Sequence, residues 1–380
     1  MLMSGLLPSQ RALFDIPDDV TYLNAAAFTP VPRSVREAGE MGVLTKATPW
    51  AKALGETDAW AERARAAAAR LIGASVDDIA ITGAVSHGIA TAAKNLKILG
   101  GSRVLMIEGE FPSLALVWPE LARAANASVE MVKRPANGDW TAALLEAINR
   151  PGAPPIGLAA LTPTHWSDGA LIDLALIVAE LRKQGALVVI DATQGVGVLD
   201  IDVAALAPDF LAFPTYKWVL GPYSLAFLYA APNRQDGVPL ENHGATRQAD
   251  GSMRPTARRY DRGEYRDPIG LPMAGTGMEQ VLAWGTGAVA ARLRGLTNAL
   301  ADAVADIAGI SMLPAALRAP HVLGLRFAGG MQPGLVAALA AHNVHVADRQ
   351  GVLRVSPHVY NDDTDVARFA AALRTCLVAG

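Results

Sequence analysis

The chain has 380 residues, enough for roughly two domains of ~150 residues each, and 51% of them are hydrophobic against 18% charged. That balance excludes a disordered chain. The formal charge of −3 speaks against a polyanion-binding surface, so no nucleic-acid partner is expected, and the single cysteine, Cys376, excludes an internal disulfide or a cysteine-rich metal site.

The N-terminal stretch "MLMSGLLPSQRALFDIPDD" has no basic region followed by a long apolar core, so no secretory signal is expected. Apolar stretches such as "GALVVIDATQGVGVL" are too short and too rich in glycine to cross a bilayer. The expectation is a cytoplasmic protein with no membrane partner.

Strands are predicted at "DIAIT", "RVLMIE", "IGLAALT", "ALVVIDA", "FLAFP" and "LAFLYA". Most are continuous apolar runs, as strands buried on both faces should be. Between them lie amphipathic helix candidates such as "SHGIATAAKNLKIL", "LALVWPELARAAN" and "LIDLALIVAELRKQG". This alternation predicts an α/β layered domain with a mainly parallel sheet, whose site lies at the carboxyl ends of the strands. Residues 236–270 are polar, rich in arginine and glycine, and break both periods; they predict a long ordered loop. Helix and strand patterns then resume and form a second, smaller α/β unit. In the closing helix Val366, Phe369, Leu373 and Cys376 share one face, Asn361 is a candidate cap, and Cys376 reads as a small core hydrophobe.

The chemistry concentrates in "LVVIDATQGVGVLDIDVAALAPDFLAFPTYKWVLGP". One apolar strand ends in Asp191, with Gln194 three residues later. Lys217 follows the end of the next apolar run, in an otherwise apolar and aromatic setting where an unpaired ammonium is costly. Two parallel strand ends can point a carboxylate and an amine into one crevice. Pyridoxal phosphate needs this pair: a lysine for the Schiff base, and a carboxylate against the pyridine nitrogen. Gln194 is then a candidate donor to the ring's 3′-oxygen. The same spacing also fits a structural Asp–Lys pair or a lysine that snorkels to the surface. "QGVG" lacks the third glycine of a dinucleotide fingerprint, which disfavours a dehydrogenase.

Taken together, "YLNAAAFTPVP", "ITGAVSHGIA", "GEFPS", "DATQ…YKWVLGPYSLAFLY" and "LRVSPHVYN" resemble, in order, the motifs of the class V aminotransferase family, a group of fold-type I pyridoxal phosphate enzymes that includes cysteine desulfurases and isopenicillin N epimerase-like proteins. The resemblance spans nearly the whole chain. It implies a large cofactor domain over residues 16–255 and a small domain built from residues 1–15 and 256–380. It implies a homodimer with shared active sites and a small amino-acid substrate.

It also implies roles. Val85 and Ser86 open a helix whose free N–H groups suit a phosphate. Phe111 falls where relatives stack a side chain on the cofactor ring, and it cannot move protons as the desulfurases' histidine does. Trp166 stands where desulfurases place an asparagine on the 3′-oxygen, with Thr164 or His165 as substitutes. Tyr216 and Thr215 are within reach of the phosphate, while Pro214 replaces a serine common in relatives. Arg354 would hold the substrate carboxylate, helped by Asn24. In "RRYDRGEYRDP", Glu264 follows Gly263 where relatives have threonine, so Arg262, Arg266 or a backbone N–H is expected to serve the phosphate. The implied activity is transamination first. The alternatives are a C–S lyase, an epimerase or racemase using a second acid such as His87 or Tyr216, and a non-catalytic cofactor-binding regulator.

Overall fold

The computed structural model describes residues 6–51 and 54–378. Residues 1–5 of the N-terminal segment therefore lie outside the described residues. The strands in chain order are β1 (Thr21–Tyr22), β2 (Ile79–Thr82), β3 (Arg103–Ile107), β4 (Ser128–Val132), β5 (Ile156–Leu161), β6 (Leu187–Asp191), β7 (Phe210–Pro214), β8 (Ala226–Ala230), β9 (Ile310–Ser311), β10 (Leu323–Phe327), β11 (Val344–His345), β12 (Ala347–Arg349) and β13 (Val352–Val355). The first three helices are α1 (Arg33–Ala47), α2 (Leu54–Leu71) and α3 (Val85–Asn95).

Seven strands form the central sheet in the order β2-β8-β7-β6-β5-β3-β4. The pairs β3–β4, β3–β5, β5–β6 and β6–β7 are parallel, and β8 alone runs against its neighbours β2 and β7. The mainly parallel α/β sheet is thus as the apolar runs predict. The six predicted strands are all present. β4 is the addition: it is an edge strand, mostly exposed, and its "SVEMV" has no continuous apolar run to announce it. Buried Ile, Val, Leu and Phe side chains from β5, β6, β7 and β8 fill the space between the sheet and the helices on its two faces.

The C-terminal part carries a four-stranded antiparallel sheet, β12-β13-β10-β9. β1 pairs in parallel with β11, and Asn24 bridges to Ser356 beyond β13. Arg11 forms an ion pair of 3.4 Å with buried Asp365 of the closing helix, Asp363–Val378. That helix buries Val366, Phe369, Leu373 and Cys376, as the sequence pattern predicts. Its cap differs from the expectation: Asp362 Oδ1 accepts from Thr364 N, while Asn361 Nδ2 donates to Asp365.

Residues 236–270 do form a long ordered loop, pinned by ion pairs to α2. Arg258 pairs with Glu62, and Arg266 binds Asp58 at 2.6 Å. Among the described residues no helix is long and apolar enough to cross a membrane.

Candidate active site

A cavity of about 410 Å³ opens at the carboxyl ends of β6 and β7, within the range of roughly 300–1,000 Å³ usual for small-molecule sites. Its wall includes Val85, Ser86, Phe111, Trp166, Asp191, Gln194, Tyr216, Lys217 and Arg354. These nine residues, all singled out from the sequence, therefore meet in one place.

Lys217 sits on the turn that follows β7, and it is buried. Thr215 closes that turn: its hydroxyl lies 2.6 Å from the Pro222 carbonyl and 3.1 Å from the Leu225 carbonyl, which share its single O–H. This uses the Thr215 hydroxyl inside the fold and removes it from the phosphate candidates. Leu220, in the same turn, is fully buried at φ 60, a left-handed conformation costly for a branched side chain. The neighbouring helix Gly270–Trp284 presses on the turn through Gly277, where an added Cβ would stand 2.6 Å from the Val219 carbonyl. The lysine is thus held by a packed, strained turn rather than by a mobile loop.

Among the described residues Lys217 has no hydrogen bond or ion pair, and its Nζ lies 6.0 Å from the Phe111 ring centre. Burial pulls its ammonium down to about 7, and the Arg354 and Arg349 guanidinium groups add to the shift against the pull of Asp191. A neutral amine at neutral pH is a nucleophile and a base. Asp191, at the end of β6, accepts from Thr193 N at 2.9 Å, and burial pushes its carboxyl above the usual range. A cationic N–H facing it would restore its ionised form.

Gln194 has a fixed orientation. Its Oε1 accepts from Trp218 Nε1 at 2.7 Å, and its Nε2 donates to the Ala26 carbonyl at 3.0 Å. One N–H of the carboxamide remains for a ligand. His321 Nε2 also binds the Gln194 carbonyl at 2.8 Å, so the segment is braced from behind.

α3 opens at the cavity with Ala84 as N-cap, which makes no side-chain cap bond. Ser86 is therefore the second helical residue and not the cap, and the first N–H groups of the helix stay available to an anion. Arg354, on β13, is 1% exposed, and it donates through Nη1 to the Trp166 carbonyl at 2.8 Å. Its Nε and Nη2 are buried without partners. Burial pulls its guanidinium down to about 9, helped by Arg349. Two unpaired N–H donors in one plane are what a carboxylate would satisfy.

Other expectations need correction. Thr164 is buried away from the cavity, bridged to Leu171; Thr162 takes the wall position. His165 lies behind the wall, stacked on Trp140 at 5.5 Å. Trp166 spends its only donor on the Gly109 carbonyl at 2.8 Å, so it cannot serve a cofactor oxygen through its indole N–H. It instead buttresses Phe111 edge-on at 5.4 Å. Asn24 is off the cavity wall, where Ala26 and Ala27 stand. His87 is also off the wall, 3.7 Å from Glu241. Arg266 is held by Asp58, whereas Arg262 donates to the Ser224 carbonyl at 3.0 Å and lies beside Gly83.

The structure adds Arg349 and Glu110 to the wall. Arg349 and Arg354 lie on the hairpin β12–β13. Glu110 Oε1 accepts from Phe111 N at 2.6 Å, its Oε2 is buried without a partner, and burial with nearby Asp191 pushes the carboxyl up to about 8.

A buried amine, a buried carboxylate, an open helix start, an exposed aromatic face and unpaired guanidinium donors together fit pyridoxal phosphate and an amino-acid carboxylate. The comparisons agree. The chain is 28% identical to an uncharacterized aminotransferase, YcbU, of Bacillus subtilis, over 93% of this chain and 94% of that protein. It is 27% identical to the isopenicillin N epimerase of Streptomyces clavuligerus, again over 93% and 94%. In fold it is similar to a cysteine desulfurase from Thermococcus onnurineus, with a TM-score of 0.84 and 21% identity over 97% of this chain and 98% of that one. Aminotransferase class-V matches residues 21–369, so the chain belongs to that family of pyridoxal 5′-phosphate enzymes.

Proposed function

We propose that this class V enzyme acts at Cα of an amino acid, with Lys217 as the residue that holds the cofactor and then carries the Cα proton, and that its net reaction is transamination. The observation that carries the reading is Lys217 itself, buried without a hydrogen-bond or ion-pair partner among the described residues and drawn down to about 7 beside Asp191 and Arg354. When bound, pyridoxal phosphate supplies a reactive carbonyl and a ring that accepts the electron pair of Cα. Lys217 accepts the proton, because its neutral form is populated at working pH. Asp191 keeps positive charge on the group opposite it. Arg354 orients the substrate carboxylate with its two unpaired donors. Gln194 offers its remaining N–H, Phe111 a flat face, and Val85 and Ser86 the helix start for the phosphate.

The reading includes a cytoplasmic homodimer with residues 16–255 as its cofactor domain. Support for a partner surface comes from the exposed Met41, Val43, Leu44 and Trp50 on and just after α1. The test is a visible spectrum of the purified protein with added pyridoxal phosphate, followed by keto-acid assay over a panel of amino acids. A cofactor band in the wild type, its loss in Lys217→Ala, and keto acid from one amino-acid class are expected. Sulfide and ammonia released together with the keto acid, with no amino group passed to an acceptor, would replace transamination by C–S cleavage.

A further inference from the structure

Arg349 has no task in the reaction as described so far. It stands on the cavity wall with Arg354, and it is half-buried. Antiparallel pairing sets Ala347 opposite Arg354 and Arg349 opposite Val352. Directly opposed residues share one face of a hairpin, and successive residues alternate between faces. Arg349 and Arg354 therefore project from the same face as diagonal neighbours, about 7–8 Å apart along the backbone. The turn that joins their strands is tight. Gln350 and Gly351 both have positive φ, 56 and 78, as a two-residue type I′ turn requires. Asp348 Oδ1 accepts from Gly351 N at 2.9 Å, which commits the adjacent carboxylate to the turn.

The Arg349 guanidinium is left without an acid. Among the described residues it makes one hydrogen bond, from Nη1 to the Asp348 carbonyl at 2.8 Å, and no ion pair. The acids of the cavity wall are engaged elsewhere: Asp191 accepts from Thr193 N, and Glu110 Oε1 accepts from Phe111 N. Contacts also separate Arg349 from the phosphate end. The hairpin tip lies against the turn after β3, where an added Cβ on Gly109 would stand 3.4 Å from Gln350 Oε1. Trp166 donates to the carbonyl of the same Gly109, and Arg354 donates to the Trp166 carbonyl. Both arginines thus belong to the Gly109–Trp166 side of the cavity. The open start of α3 follows β2 and has its own arginine, Arg262, beside Gly83.

We infer that Arg349 binds a second carboxylate, carried on the substrate's side chain, and that the enzyme takes a dicarboxylic amino acid of the aspartate or glutamate kind. The inference deepens the functional reading above and rests on it. Arg354, 1% exposed, takes the α-carboxylate with its two unpaired donors. Arg349, less buried and nearer the mouth, takes the side-chain carboxylate. A planar guanidinium with free N–H groups suits a carboxylate better than an amide, because every donor then meets a charged acceptor. Asparagine and glutamine have the shape of the acids without their charge, so they gain nothing from Arg349.

The test compares the acids with these amides. On the loaded enzyme, kcat/KM for aspartate or glutamate is expected to exceed that for asparagine or glutamine by at least about 10-fold, the low end for hydrogen bonds to a charged group. Arg349→Gln should bring the ratio close to one. Arg349→Lys should keep part of it, since the charge stays and the two-pronged fork is lost. Equilibrium binding is the second readout. By calorimetry, glutarate is expected to bind the loaded wild type at least about 10-fold more tightly than valerate, a monocarboxylate of the same length, and Arg349→Gln should cancel the difference. A wild type that does not favour the acids overturns the inference. So does an acid-to-amide ratio that Arg349→Gln leaves unchanged, or equal binding of glutarate and valerate. Failure to bind pyridoxal phosphate at all defeats the underlying functional reading instead, and the same titrations of the cofactor-free protein still decide whether Arg349 holds a second carboxylate.

Discussion

Two fully buried arginines answer the cost of burying charge in opposite ways. Arg65, on α2, faces Asp261 with neither side chain exposed; Nη1 and Nη2 reach its two oxygens at 3.1 and 2.9 Å, and Nη1 also binds the Ile79 carbonyl. Asp261 closes the set by accepting from Ile81 N at 2.7 Å. Arg354 is equally buried but has one partner, the Trp166 carbonyl, and two bare N–H groups. A satisfied buried ion pair belongs to the fold. An unsatisfied buried cation on a cavity wall is maintained at a cost to stability, and a ligand is the natural counterpart.

Breaking the first site should cost most. Asp261→Ala leaves the Arg65 guanidinium buried and unpaired and cuts Ile81 N loose, so a loss of about 3–5 kcal/mol is expected in urea unfolding. A change under about 1 kcal/mol would show that the pair is not structural. Arg354→Leu should do the reverse: unfolding stability unchanged or raised, and amino-acid KM raised on the order of 100-fold, from loss of a charge-assisted carboxylate contact of about 2–5 kcal/mol. A strongly destabilised Arg354→Leu would erase the contrast.

The smallest effect per step of the variable is in pH. Lys217 titrates lower in the folded protein, about 7 against an ordinary 10.5, so between these values the unfolded chain binds more protons. Stability of the cofactor-free protein should therefore rise with pH across that window, by at most ~1.4 kcal/mol per unit from this group. Lys217→Met should remove that part of the rise. Equal slopes in the two proteins would mean that the lysine is not buried as a neutral amine.

The contrast also explains what the sequence revealed. Asp191 and Lys217 stand out because each interrupts an apolar run at a strand end, where burial can be inferred from the neighbours. Arg354 stands out for the same reason in "VLRVS". Glu110 does not, because "EGEFPS" offers two glutamates in a loop and only the packed chain distinguishes exposed Glu108 from the partnerless oxygen of Glu110. The arginines of residues 258–266 look alike in sequence; α2 separates them by supplying Glu62 to Arg258 and Asp58 to Arg266. Thr164 and Thr162 differ only in which way the chain faces after β5, a matter of register at the strand's end.

The central claim is that Lys217 is the residue to which pyridoxal phosphate attaches. Borohydride reduction of the loaded protein, followed by peptide mass spectrometry, tests it directly. The account predicts the reduced cofactor's mass on the peptide containing Lys217 and on no other lysine in stoichiometric amount. A stoichiometric adduct elsewhere, or none with the cofactor demonstrably bound, would contradict it.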